Sequence, residues 1–127
     1  VRIGIFMNLF NVHVNRSPAD GIVDYIRYRR GRKVNAMRPD AGQVNECNAI
    51  GLRDTAAGKV LIRQIAGLIA RRIVCWLREG AKVAKGERLG LIRFGSRVEV
   101  FLPLGTTCLV KVGDKVRAGE TPIGETT

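Results

Sequence analysis

The sequence predicts a mainly β domain, an antiparallel β-sandwich with little helix, and three observations carry that prediction. The chain has 127 residues, 46% of them hydrophobic, which suits one compact domain spanning 1–127 and is short for two. Fifteen glycines and only 6% aromatic residues accompany many Val and Ile. Glycine supplies the positive φ of tight turns, and β-branched side chains pack well on a pleated surface.

The elements follow in chain order. Residues 2–7 read as a buried strand, and 21–30 alternates in part through Ile22, Asp24 and Ile26, as a half-exposed strand does. Between them Pro18-Ala-Asp-Gly21 is turn chemistry, and Asp20 is read as a turn residue. The polar stretch 31–45, with Gly, Pro and Asn scattered through it, reads as a long loop, a class of segment that often carries function. Residues 48–53 and 59–65 form a hairpin across 54–58. Helix and strand compete over 65–76, read as a strand entering a short helical or irregular turn around 67–72. Strands at 89–92 and 98–102 then flank a tight hairpin that holds Arg93-Phe-Gly-Ser-Arg97.

The last third contains a repeat. Gly80-x-x-Val83-x-x-Gly86-Glu87 matches Gly113-x-x-Val116-x-x-Gly119-Glu120 at a constant offset of 33, with Lys82 and Lys115 also equivalent. Two similar hairpin-and-turn units related by a pseudo-twofold axis would bury together what neither buries alone. This pattern resembles biotinyl and lipoyl carrier domains and related barrel-sandwich hybrids. It implies, as one functional alternative, a non-catalytic binding or adaptor module. Carriers of that kind present a modified lysine at a hairpin tip, and no lysine lies between Gly86 and Lys111 here.

Charge and cysteine content narrow the partners. Twenty-two basic against 11 acidic residues give a net charge of +11, which points to a polyanionic partner. Arg27, Arg29, Arg30, Arg32 and Lys33 cluster beside Tyr25 and Tyr28 and suit an anionic membrane surface, a solvated strand edge or nucleic acid, with the membrane preferred. The uncharged apolar stretches 3–14 and 65–70 fall short of the roughly 20 residues a spanning helix requires. Val1 is not an initiator methionine, so a processed or excised chain is expected. Cys47, Cys75 and Cys108 lack a Cys-x-x-Cys pair, which predicts neither a disulfide framework nor a zinc site and suits a reducing compartment. His13 is the single histidine and hence the sole imidazole available for proton transfer.

Gly95-Ser96 is the peptide with latent chemistry. Gly95 leaves its carbonyl unobstructed, and the Ser96 hydroxyl lies within reach of it in a strained turn, the arrangement for an N-to-O acyl shift. On spacing alone the signal is weak, because Gly-Ser is common in turns. Arg71 and Arg72 interrupt an apolar run and suit either a substrate phosphate or carboxylate or a structural ion pair.

Three motifs in order, Phe10-Asn-Val-His13-Val-Asn-Arg16-Ser-Pro18, Gln64-Ile-Ala-Gly-Leu-Ile-Ala-Arg-Arg-Ile-Val74 and Arg93-Phe-Gly-Ser-Arg97, followed by Leu102-Pro103, closely resemble the short phosphatidylserine decarboxylases over about 4–124. The resemblance implies a pyruvoyl-dependent lyase of phospholipid synthesis, made as a proenzyme that cuts itself between Gly95 and Ser96. The products would be a β chain of 1–95 and an α chain of 96–127 whose Ser96 becomes a covalent pyruvoyl group, the electrophile for Schiff-base chemistry on the substrate amine. It also implies that His13 is the catalytic acid, where the residue alone suits a structural hydrogen bond as well. Asn15, Arg71 and Arg72 become candidate substrate-binding residues. The expected partners are an anionic phospholipid, the cytoplasmic face of the cell membrane as a peripheral site, and the sister chain of the same proenzyme, with a homo-oligomer left open and no nucleic acid. One departure stands out. The family's self-cleavage aspartate belongs to a Pro-x-Asp-Gly segment upstream of the His motif, whereas Asp20 follows it, so an amino-terminally truncated chain is expected.

Overall fold

Alternating apolar residues build the centre of the molecule. The computed structural model describes residues 1–7, 14–68, 73–92, 96–116 and 120–125. Along the chain lie β1 (Arg2–Met7), β2 (Val14–Arg16), β3 (Gly21–Arg29), the one-turn α1 (Ala41–Val44), β4 (Cys47–Thr55) and β5 (Gly58–Ile65). They are followed by β6 (Ile73–Cys75), β7 (Lys82–Val83), β8 (Arg88–Ile92), β9 (Ser96–Phe101), β10 (Thr107–Cys108) and β11 (Gly124–Glu125).

Six strands form one antiparallel sheet in the order β1-β9-β5-β4-β3-β7, three form a second in the order β2-β8-β6, and β10 pairs with β11. Register places Ile50 opposite Ile62 and Ile62 opposite Val100, so the inward positions of three neighbouring strands line up. With Val23, Leu52 and Val60 these side chains meet Leu89 of β8 and the half-buried Cys75 of β6, which lays the small sheet over the large one. A second cluster, Met7, Ala66 and Ile92, closes one end of the interior beside Val98 and Ile73. The mainly β, antiparallel sandwich expected from composition is the fold observed.

Most elements sit where periodicity put them. The hairpin of β4 and β5 turns as predicted. Thr55 Oγ1 donates to the Gly58 carbonyl at 2.6 Å and accepts from Ala57 N at 3.1 Å. The 31–45 segment is a loop with two additions, α1 and a single parallel bridge between Arg32 and Asn45. Residues 69–72 of the ambiguous 65–76 stretch lie outside the described residues.

Two expectations are corrected. Strands β8 and β9 do not form a hairpin, because β8 lies between β2 and β6 while β9 lies between β1 and β5 in the other sheet. Leu89 and Val100 are both buried, and packing them face to face satisfies both apolar faces where edge-to-edge pairing would leave each sheet uncovered. The repeat is also only local. Gly80 and Gly113 both adopt positive φ, 84° and 96°, so the same turn is used twice. Yet β7 joins the large sheet, whereas β10 pairs with β11. Thr107 and Cys108 are exposed and offer no apolar face to bury against the core.

Candidate active site

Ser96 opens β9, and the alternation Ser96, Val98, Val100 points its side chain into the interior. It is fully buried, at 0% exposure, and stands opposite Met7 in the β1 ladder. The same alternation brings Gln64 inward on β5 after Val60 and Ile62, and Asn48 inward on β4 before Ile50 and Leu52. Register sets Val98 opposite Gln64 and Gln64 opposite Asn48. Ser96 and Gln64 are therefore diagonal neighbours on one face, positions typically about 7–8 Å apart.

Buried amides must find partners, and these find one another. Gln64, at 0% exposure, donates from Nε2 to Asn15 Oδ1 at 3.0 Å and to the Val74 carbonyl at 3.2 Å. Its Oε1 accepts from Asn48 Nδ2 at 3.0 Å. Asn15 Nδ2 in turn faces Met7 Sδ at 3.6 Å, and a thioether is a weak acceptor. The Ser96 end of the sandwich is thus lined by neutral amides, with Met7 sulfur as the partner of the Asn15 amide N–H among the described residues. Gly90, opposite Asn15 in the small sheet, makes this approach sterically allowed. A Cβ there would strike the Val74 carbonyl and crowd Gln64 Nε2. Such a site offers hydrogen bonds to an acyl or keto oxygen in a water-poor setting, where fixed dipoles act strongly.

The opposite face of β9 is charged. Glu99, only 2% exposed, pairs with Arg63 at 3.1 Å, Arg97 at 3.5 Å and Arg2 at 3.8 Å. The 31–45 loop lies over this cluster. Arg97 donates to the Ala36 carbonyl at 2.9 Å and to that of Arg38 at 3.3 Å, and Arg63 donates to the Gly42 carbonyl.

Of the residues expected in the site, Ser96 and Asn15 are brought to the same end of the interior, whereas His13, Arg71, Arg72 and Gly95 lie outside the described residues. Asp20 accepts from Lys85 N at 2.6 Å and so ties the Pro18–Gly21 turn to the Lys85-Gly86 turn, as a turn residue does. Arg27, Tyr28, Arg29, Arg30, Arg32 and Lys33 are all exposed. Within that cluster Arg29 donates to the Gly42 and Asn45 carbonyls, Arg27 lies 5.3 Å from the Tyr25 ring centroid, and Tyr28 donates to Glu46. The Glu46 carboxylate raises the Tyr28 pKa first through that hydrogen bond, with desolvation and its negative charge adding to the shift. Sequence reading missed Gln64, Asn48, Arg63, Arg97 and Glu99 as members of the two clusters. A polar side chain at an inward position of an alternating strand, as in Val60-x-Ile62-x-Gln64, was the available signal for the amides.

Residues 1–124 match the family model described as Phosphatidylserine decarboxylase. The chain belongs to the phosphatidylserine decarboxylase family. It is 55% identical over 123 residues to a protein of Syntrophus aciditrophicus named phosphatidylserine decarboxylase proenzyme, covering 97% of this chain and 58% of the relative. The proenzyme of the same name from Desulfotalea psychrophila is 51% identical, covering 98% of this chain and 58% of its own length. That of Nitrobacter winogradskyi is 52% identical, with 98% and 51% covered. The chain thus spans between half and three fifths of these phosphatidylserine decarboxylase relatives. No solved structure matches it significantly. Among the described residues no helix is long and apolar enough to cross a membrane.

Proposed function

We propose that this chain forms the self-cleaving, catalytic part of a pyruvoyl-dependent phosphatidylserine decarboxylase, with Ser96 as the source of the pyruvoyl group. The observation that carries the reading is the position of Ser96. It is the first residue of β9, fully buried, and turned toward the end of the interior where Asn15, Gln64 and Asn48 gather.

In maturation the Ser96 Oγ attacks the Gly95 carbonyl carbon, the Gly95–Ser96 C–N bond breaks, and an ester with a free amine at residue 96 forms. Loss of the Cα proton expels the Gly95 carboxylate together with Oγ and leaves dehydroalanine. That elimination separates a β chain of 1–95 from an α chain of 96–127, whose imine tautomer takes up one water and releases ammonia to complete the keto group. The Asn15 amide N–H, which meets the weak acceptor Met7 sulfur, is a donor suited to the oxygen that becomes negative in the first step.

Once formed, the pyruvoyl group at residue 96 would supply an electrophile and electron sink for decarboxylation of an amine substrate. What this chain's residues contribute is position and protons. The amide cluster would line the side of the interior that holds the keto group, and Met7, Ile92 and Val98 would keep water from it. His13, the only imidazole, returns the proton to carbon after carbon dioxide leaves. Asn15, Arg71 and Arg72 are assigned to the substrate's carboxylate and phosphate. The exposed basic run on β3 and the following loop would hold the molecule peripherally on an anionic leaflet at the cytoplasmic side, each near-surface charge contributing about 1 kcal/mol.

Ser96→Ala in the full-length proenzyme tests the reading. Denaturing mass spectrometry of the unsubstituted protein should show two chains, the smaller starting at residue 96 and blocked at its amino terminus. The variant should remain one chain and release no carbon dioxide from phosphatidylserine. An uncut, fully active protein with Ser96 intact would overturn the assignment.

A further inference from the structure

Cleavage before Ser96 would create a problem for the fold that the outer face of β9 is arranged to solve. Chain ends fray unless tied down, and residue 96 would become one. On the β5 side backbone pairing stops close to that point, because β5 ends at Ile65 opposite Arg97, while on the other side Ser96 stands opposite Met7 of β1. The β5 ladder runs out one residue inside the new end.

We propose that Arg97, gripped by the 31–45 loop, is a positioning residue that keeps the new end of β9 seated once the chain is cut. This rests on the Gly95–Ser96 cleavage reading. Alternation turns Arg97 away from Ser96, so the grip is applied from outside and leaves the interior face to the reacting group. The guanidinium reaches the Ala36 and Arg38 carbonyls and the buried Glu99 together. A planar fork meets several fixed acceptors at once, which the point charge of lysine does not.

The loop doing the gripping is itself fixed. Fully buried Asn45 donates to the Val34 carbonyl at 2.8 Å and the Ala66 carbonyl at 2.6 Å, and accepts from Val34 N at 3.0 Å. Arg29 donates to the Gly42 and Asn45 carbonyls at 3.1 and 2.9 Å. Gly42 packs so closely that an added Cβ would stand 3.1 Å from an Arg97 nitrogen. Ala36 and Ala41 are fully buried beneath the same segment. An exposed connector has no need of this many internal ties.

The test compares Arg97→Lys and Arg97→Met in the full-length proenzyme, each in the self-cleaving form and in an uncut Ser96→Ala background. Backbone hydrogen exchange over 97–101 is read in all four, and kcat and KM in the cut pair. In the cut enzyme exchange should rise by about 10-fold or more and kcat should fall by about 10-fold at a KM within about 3-fold, the pattern of a lost orientation and not of lost binding. In the uncut background, where residue 95 still holds the strand, exchange should rise by less than about 3-fold. Equal loosening in both backgrounds would make Arg97 a general structural residue and overturn the proposal, as would unchanged kcat. If Arg97→Met fails to fold, Arg97→Lys, which keeps the charge against Glu99, gives the same comparison. An unsubstituted protein that is active as one chain would overturn the parent reading instead, and mass spectrometry of that protein alone separates the two failures.

Discussion

Gln64 on β5 and Asn15 on β2 belong to different sheets, 49 residues apart, and are joined by a 3.0 Å hydrogen bond inside the sandwich. That bond is where the packing of the two layers and the chemistry proposed at Ser96 become one problem. It holds the amide of Asn15 against Met7, the residue that faces Ser96 across the ladder.

Gln64→Leu keeps the volume but leaves Asn15 Oδ1 and Asn48 Nδ2 without the partner they now have. Leaving buried polar atoms unsatisfied costs about 1–3 kcal/mol, so the urea midpoint should fall accordingly. Self-cleavage of the full-length proenzyme should slow as well. Gln64→Glu should be no better tolerated, because a buried carboxylate keeps an acceptor for Asn48 but turns a second acceptor toward Asn15 Oδ1 and the Val74 carbonyl.

Ile62 sits between Ile50 and Val100 at 1% exposure in the middle of the large sheet. Ile62→Ala should destabilise the protein by about 2–5 kcal/mol, transfer and cavity terms together. Chemical denaturation should show a lower midpoint at an unchanged slope.

Tyr28 should titrate above its ordinary value of 10.0, because ionisation breaks its bond to Glu46 and sets two anions together. A raised folded-state value means that this contribution to stability is present below the ordinary tyrosine value and is lost as pH climbs through the raised one. Ultraviolet titration should therefore show one late tyrosine in the folded protein, and Glu46→Gln should move it back toward its ordinary value. An unmoved titration in that variant would remove Glu46 as the cause.

We assign His13 to decarboxylation more than to maturation. His13→Ala in the full-length proenzyme should leave two chains on denaturing gels while lipid turnover drops by about 100-fold, the usual contribution of a positioned acid. Unchanged turnover would take His13 out of the mechanism.

By itself the sequence determined the local grammar of this protein. An apolar run placed β1, partial alternation placed β3, and two apolar runs across a turn placed β4 and β5. Glycine at Gly80 and Gly113 marked turns, because positive φ is inexpensive only there. Three ordered motifs pointed to the family, and the family model bears that out. Tertiary structure decided which strands became neighbours. The short link 93–95 is compatible with a hairpin or with a step between layers, and only the need to cover two apolar faces at once sends β8 and β9 into different sheets. The same holds for the side chains around Ser96. Asn15, Asn48 and Gln64 are ordinary amides in the sequence, and Arg63, Arg97 and Glu99 are ordinary charges. The bonds between these amides span 16 to 49 residues, and that of Arg63 with Glu99 spans 36, so register and layer packing bring them together. A hydrogen bond between distant residues leaves no periodic trace along the chain.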